Sequence, residues 1–254
     1  MRVALLTIGD ELLAGDTTNT NATWLAERLT ERGVAVRRIL TVPDEHSLIK
    51  SRVCEYCDSF DAVIITGGIG NTPDDVTISA VADAFNRDLV VSEQARIDII
   101  ETLETLSDTV PNLDVDIDAE ATIPEDARPL LNTEGLAPGC VVENAYVLPG
   151  IPSELEAMFN KVAEEFNGEA VSSFLYTIKP EANIVSALKT AGSEFDVSIG
   201  CYPDRDAGHN RIKVTATDEE TLTGATTWLQ DQIDASDTPV ERDWAEDIEY
   251  DQQN

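Results

Sequence analysis

The sequence predicts an α/β protein: a mainly parallel sheet covered on both sides by helices, followed by a small α+β domain. Three observations predict it. Apolar strand-like runs alternate with amphipathic helical segments over residues 2–166, as expected of right-handed crossovers between parallel strands. The run Asp61–Thr66 (D-A-V-I-I-T) is apolar beyond its first residue, as in a strand buried on both faces. Beyond Asn167-Gly168 the order changes to strand, helix, two strands and helix, too short a stretch for a second active site of its own.

In chain order, Arg2–Ile8 is a strand, and Thr20–Arg32 carries Trp24, Leu25, Arg28 and Leu29 at helical spacing before Gly33 stops it. Val34–Val42 is a second strand, Glu45–Ser59 a helix and Asp61–Thr66 the third strand. Thr72–Asn86 and Glu93–Leu106 are expected helices, an irregular stretch follows, and Tyr146–Leu148 and Ser153–Phe166 close the first domain as strand and helix. The second domain holds Phe174–Ile178, the helix Asn183–Phe195, the strands Val197–Tyr202 and Arg211–Thr217, and the helix Glu219–Ile233. The expected boundaries are 1–168, 169–235 and an acidic, mobile tail over 236–254.

Charge excludes several classes of function. The 254 residues carry 49 Asp plus Glu against 17 Lys plus Arg, a net charge of −32. Such a surface repels nucleic acid and anionic membranes, so neither is expected as a partner. Acids stud nearly every helix rather than forming blocks, which reads as salt adaptation, because salt shortens the screening length to about 3 Å at 1 M. No apolar run approaches the ~20 residues of a membrane span, and a soluble, cytoplasmic protein is expected. Cys54 and Cys57 form a C-x-x-C, yet Leu48, Val53, Cys54 and Cys57 fit one helix face and no second pair exists. Core packing is expected there, not metal or redox chemistry.

In parallel sheets, ligands sit beyond the carboxyl ends of the strands. The loops after Ile8, Ile65 and Leu148 all open there. The third-strand loop, Gly67-Gly68-Ile69-Gly70-Asn71-Thr72-Pro73-Asp74-Asp75, has three glycines that let backbone N–H groups approach an anion, with a helix N-terminus expected directly behind. A structural alternative stands beside it: Thr72 as N-cap, Pro73 at N1 and Asp75 at N3 would form a capping box without function. The first loop, Gly9-Asp10-Glu11 and on to Thr18, Asn19 and Asn21, adds two acids at the same sheet edge. Carboxylates crowded beside a phosphate-binding turn suggest Mg²⁺ or a similar hard cation between them.

The pattern Gly67-Gly68-x-Gly70-x-Thr72-x-Asp74-Asp75 with Thr77 resembles the signature loop of the molybdopterin-binding domains. Gly9-Asp10-Glu11-Leu12-Leu13-x-Gly15, Asn19-Thr20-Asn21-Ala22, Ala137-Pro138-Gly139 and Leu148-Pro149-Gly150-Ile151-Pro152-Ser153-Glu154-Leu155 narrow the resemblance to the amino-terminal part of the CinA family. The resemblance implies a three-layer α/β/α fold and acidic ligand-handling positions at Glu11 and Asp75, and Gly67, Gly68 and Gly70 match the family's glycine loop. It implies molybdopterin as a possible ligand and, in the CinA branch, metal-dependent hydrolysis of ADP-ribose-type pyrophosphates. Asn71 replaces a proline usual in that branch, and Pro111–Ala121 is acidic where relatives are often basic. The deamidase domain of longer members is not expected here.

The resulting expectation is a small phosphorylated ligand, pterin or nucleotide-like, with Glu11 and Asp75 as catalytic acids and Glu11, Asp74 and Asp75 as cation ligands. Gly9, Asp10, Asn19, Asn21, Gly67, Gly68, Gly70, Thr72, Thr77, Pro149 and Gly150 would contact the ligand. The alternatives are a nucleotide pyrophosphatase and a non-catalytic binding protein that works through its oligomeric surface; a homo-oligomer is expected. Asp114, Asp116 and Asp118 imitate a calcium loop, but Ala119 stands where glycine is needed, so a solvated loop is expected. His46 and His209, the two histidines, suggest no catalytic triad.

Overall fold

The computed structural model describes residues 1–106 and 114–240, and the chain divides after Gly168 into two compact units. In the first unit a six-stranded sheet runs in the order β2 (Ala35–Val42), β1 (Arg2–Ile8), β3 (Ala62–Thr66), β8 (Ala145–Leu148), β7 (Gly139–Val142) and β6 (Arg128–Leu130). The first four strands are parallel, and β7 and β6 add an antiparallel edge. Leu5 pairs with Ile39 on one side and Ile64 on the other, so β1 lies inside the sheet.

Alternation along these strands feeds two cores. Val3, Leu5, Ile64 and Leu148 face α2 (Thr20–Glu31) and α7 (Pro152–Val162), packing with Leu25, Leu29, Met158 and Phe159. Ala4, Leu6, Ile8, Val63 and Ile65 face α3 (His46–Ser59) and α4 (Thr77–Ala84), packing with Ile49, Val53, Tyr56 and Val81. Helices on both faces of a sheet whose central strands β1, β3, β8 and β7 are buried make the three-layer α/β/α fold. Trp24 and Phe159 meet edge-on at 5.5 Å within the first layer.

Three local expectations change. The helix expected over Thr72–Asn86 begins only at Thr77, because residues 72–75 close a separate turn. The stretch expected to be irregular holds α6 (Ile117–Glu120), β6 and β7, together with β5 (Thr122–Pro124), which pairs with β4 (Leu89–Val91) beside α5 (Glu93–Leu106). Asp116 caps α6 through the Ala119 N–H and Asp118 pairs with Arg96 at 2.9 Å, so these acids serve structure. Residues 107–113, which contain the start of the acidic stretch at Pro111, lie outside the described residues. In α3, Val53 and Tyr56 are buried and Cys57 is partly buried, but Cys54 is exposed at the edge of the packed face.

The second unit contains β9 (Val171–Thr177), α8 (Glu181–Glu194), β10 (Ser198–Asp204), β11 (His209–Ala216) and α9 (Glu219–Ile233). Its antiparallel sheet has the order β10-β11-β9, and Leu175, Ile212 and Val214 pack with Ile184, Leu222 and Leu229 of the helices. The expected tail begins with held residues: the Ser236 N–H donates to Tyr176 O and the Tyr176 N–H to Ser236 O, both at 2.8 Å. Residues 241–254 of that tail lie outside the described residues. Among the described residues no helix is long and apolar enough to cross a membrane.

Candidate functional site

The carboxyl ends of β1, β2, β3 and β8 open on a cavity of about 250 Å³. The loop after β1 enters α1 (Asp10–Ala14), which places Glu11 on the cavity wall, and the following turn brings Thr18 and Asn19 to the start of α2. Asn19 caps α2 by accepting from the Ala22 N–H at 3.1 Å, and its amide donates to Thr7 Oγ1 at 2.9 Å. The amino-terminal turn of α2 therefore opens at the cavity through Thr20 and Asn21, with the positive end of the helix dipole. Asn21 is also a strut: its amide donates to Gly150 O at 2.7 Å, and Thr66 Oγ1 donates to Pro149 O at the same distance.

Gly67 sits with φ +99°, and a side chain there would collide with Ile8 O, so the loops after β1 and β3 touch only because this residue is glycine. The loop is bolted from behind by buried Thr77, whose hydroxyl donates to Gly67 O at 2.8 Å and whose N–H donates to Gly68 O at 3.0 Å. Gly67 gives its own N–H to Leu148 O. The N–H groups of Gly68, Ile69 and Gly70 have no acceptor among the described residues.

The wall is acidic. Glu11, Asp44, Asp74 and Asp75 line the cavity, no Lys or Arg does, and none of the four forms an ion pair among the described residues. Partial burial pushes the Asp44 carboxyl above its ordinary range; the Asp10 N–H donating to it opposes this, while the charges of Asp10, Glu11 and Asp74 raise it further. Asp74 is held below the ordinary range by the Thr72 hydroxyl. Thr72 Oγ1 lies 2.6 Å from both Asp74 Oδ1 and Asp75 Oδ2, and the Thr72 N–H donates to Asp75 Oδ2 at 2.9 Å. Among the described residues no three His, Cys, Asp or Glu side chains converge closely enough to hold a metal ion. The expected set Glu11, Asp74 and Asp75 is not preassembled, since both aspartates are turned onto Thr72.

Of the residues singled out in the sequence, Gly9, Glu11, Asn19, Asn21, Gly67, Gly68, Asp74, Asp75 and Gly150 meet around this one cavity. Asp10, Gly70, Thr72, Thr77 and Pro149 do not line it. Asp10 anchors Asp44 through its N–H, Gly70 leaves room for the Asp75 carboxylate, and Thr72 closes the turn. Thr77 and the Pro149 carbonyl are bolts under the loops. The helix terminus expected behind the glycine loop is spent on Gly68 O, and the terminus that opens at the cavity belongs to α2. Asp44 was not anticipated; the signal for it was the Pro43-Asp44 pair ending a strand of the same parallel set.

This geometry, glycine loop and acids at the carboxyl ends of a parallel sheet, is that of a molybdopterin-binding-type domain. The family described as probable molybdopterin binding domain matches residues 4–167, and the FAD synthase middle domain family matches residues 169–239. The solved structure of the protein CinA from Thermoplasma acidophilum is similar at a TM-score of 0.59 and 31% identity, covering 66% of this chain and 99% of that one. A protein of Archaeoglobus fulgidus is 36% identical over 222 residues, 87% of this chain and 93% of its own length. A CinA-like protein of Citrifermentans bemidjiense is 35% identical over 248 residues, 92% of this chain and 59% of its own length. The chain belongs to the CinA-like family of molybdopterin-binding-domain proteins.

Proposed function

We propose that the cavity binds a phosphorylated small molecule of the pterin or nucleotide-like type together with a divalent cation such as Mg²⁺. Molybdopterin is the ligand to which the family description points. The observation that carries the reading is a wall of four carboxylates without a single basic side chain, set beside the start of α2 and the N–H of Gly68. A phosphate alone would be repelled by that wall; helix-terminal and loop N–H groups take its oxygens only if a cation offsets the acids. The donor chemistry, all oxygen, suits a hard cation, and Glu11 and Asp44 would hold it together with Asp74 and Asp75 once both are released from Thr72. Such a cation supplies charge neutralisation and polarises bound phosphate oxygens.

Asp44 favours a second, hydrolytic reading. Its carboxyl, raised by burial and by its acidic neighbours, accepts a proton from water more readily than a solvated aspartate. Beside a cation, it would orient water for hydrolysis of an ADP-ribose-type pyrophosphate. Calorimetric titration of the full chain with ADP-ribose and Mg²⁺ tests both readings. Affinity should fall more than about tenfold on chelation, a change of ~1.4 kcal/mol. Equal affinity with and without chelator would refute the cation, and release of AMP would establish hydrolysis.

A further inference from the structure

The two-stranded sheet of the first unit has a free edge. Among the described residues β4 pairs with β5 along one side and with nothing along the other. The Ser92 N–H donates to Ala121 O and the Glu125 N–H to Asp88 O. These two bonds fix the parity of the ladder: residues 88, 90 and 92 turn their backbone groups toward β5, and Leu89 and Val91 turn theirs outward. Pro124, which has no N–H, can stand opposite Leu89 because no ladder bond is made there. All three side chains of the strand are exposed, Leu89 at 45%, Val90 at 39% and Val91 at 46%. Other exposed large apolar residues among those described are scattered singly along the chain, which needs no explanation; three in succession on a strand do. An apolar strand with an open row of donors and acceptors is a template for another strand.

The charges around β4 select the partner. The segment reads Arg87-Asp88-Leu89-Val90-Val91-Ser92-Glu93, a base at one end and an acid at the other. Two copies laid antiparallel about a two-fold axis at Val90 set Arg87 of each opposite Glu93 of the partner subunit. Leu89 then faces Val91 of the partner subunit, and Asp88 faces Ser92 of the partner subunit. In that register the outward groups of Leu89 and Val91 exchange four hydrogen bonds, and the two Val90 side chains meet as the closer, non-hydrogen-bonded pair. Parity also allows the axis at Leu89 or at Val91. The first sets Arg87 against Val91 and the second sets Glu93 against Leu89, so the Val90 axis is the one that joins opposite charges. Within its own chain Arg87 lies 2.8 Å from Asp126 and 3.7 Å from Glu143, and Glu93 lies 3.8 Å from Arg96. A guanidinium with five N–H donors can serve a further carboxylate. We propose that β4 pairs with β4 of a second copy of this chain about a two-fold axis at Val90, joining two β4-β5 ribbons into one four-stranded sheet. The contact is self-complementary and closes as a dimer, leaving no further strand edge of β4 open.

Sedimentation velocity of the full chain in about 1 M KCl measures the association; a screening length of about 3 Å suppresses repulsion between two acidic copies but spares charges in contact. A monomer–dimer equilibrium is expected. Val90→Glu brings two carboxylates together at the axis and should raise the dissociation constant more than about tenfold. Arg87→Glu and Glu93→Arg each set like charges opposite one another at both ends, and each should raise it about threefold or more. In an equal mixture of these two variants the reversals offset one another at both ends, so the mixture should associate as the wild type does. Glu93 is well exposed, so Glu93→Arg and Val90→Glu decide the matter even if Arg87→Glu, which loses two ion pairs of its own chain, fails to fold. A chain that stays monomeric up to about 1 mM, a dimer unmoved by Val90→Glu or by Glu93→Arg, or a mixture no tighter than its components would each overturn the pairing.

Discussion

Thr77→Val tests whether the glycine loop is held by a single buried hydroxyl. Valine keeps the β-branch and nearly the volume of threonine, so helix propensity and packing change little, but it removes the donor to Gly67 O. That carbonyl is buried, and losing its partner costs about 1–3 kcal/mol, the penalty of a desolvated acceptor left unmade. The Thr77 N–H still holds Gly68 O, so the loop loses one of two bolts. Thr77→Ser keeps the hydroxyl and gives up a buried methyl, about 0.8 kcal/mol. Urea unfolding of the three proteins should rank them wild type, Ser, Val in falling stability. Because Gly67 and Gly68 line the cavity, Val should also weaken ligand binding while Ser spares it. A Val variant as stable as wild type, or a Ser variant that is the weaker of the two, would refute the bolt.

The cation-ligand roles proposed for Asp75 and Glu11 are testable by neutral replacements. Asp75→Asn retains an acceptor for the Thr72 turn and should cost less than about 1 kcal/mol of stability, while lowering cation-dependent affinity more than about tenfold. Glu11→Gln should do the same; normal affinity in either variant returns that residue to a structural role. Salt is the third test: with a net charge of −32 the melting temperature should climb between ~0.1 M and ~1 M KCl as the screening length shrinks, and an uncharged osmolyte should not reproduce the climb. A flat curve would remove the reading of salt adaptation.

The parallel half of the fold was legible because Arg2–Ile8 and Asp61–Thr66 are long enough to show burial on both faces. The antiparallel edge was not: β6 is three residues long and β7 four, too short for any periodicity to emerge. At the site, the glycine loop and Glu11 could be read from residue type and strand position. The start of α4 could not. Thr72, Pro73 and Asp75 carry the signals of a helix cap, but the same hydrogen bonds close an isolated turn, and a contact across the glycine loop decides between them. That contact is the Thr77 N–H on Gly68 O, which fixes the helix start five residues later. Asp44 was missed for a related reason: its membership of the site depends on β2 lying next to β1, a fact of sheet order that residue pattern does not carry.

An acidic composition makes acidic sites hard to see, because most carboxylates of such a chain lack a basic partner simply for want of cations. What separates the cavity acids from the rest is therefore not that they are unpaired. Asp61 has Arg2, Asp118 has Arg96 and Glu165 has Arg128, but the few bases are spent at many points of the surface. What the cavity acids share is a common cavity in which they act on one another. Asp44 is partly desolvated and feels the charges of Asp10, Glu11 and Asp74 together. Partial burial weakens the solvent screening that renders neighbouring surface acids nearly indifferent to each other. Bulk salt, which relieves the repulsion over the exposed helices, acts less well inside a cleft. The remaining relief is a proton on Asp44 or a cation among the carboxylates, and the two compete. Cation affinity should therefore fall as Asp44 takes up its proton, at a pH above the ordinary aspartate range.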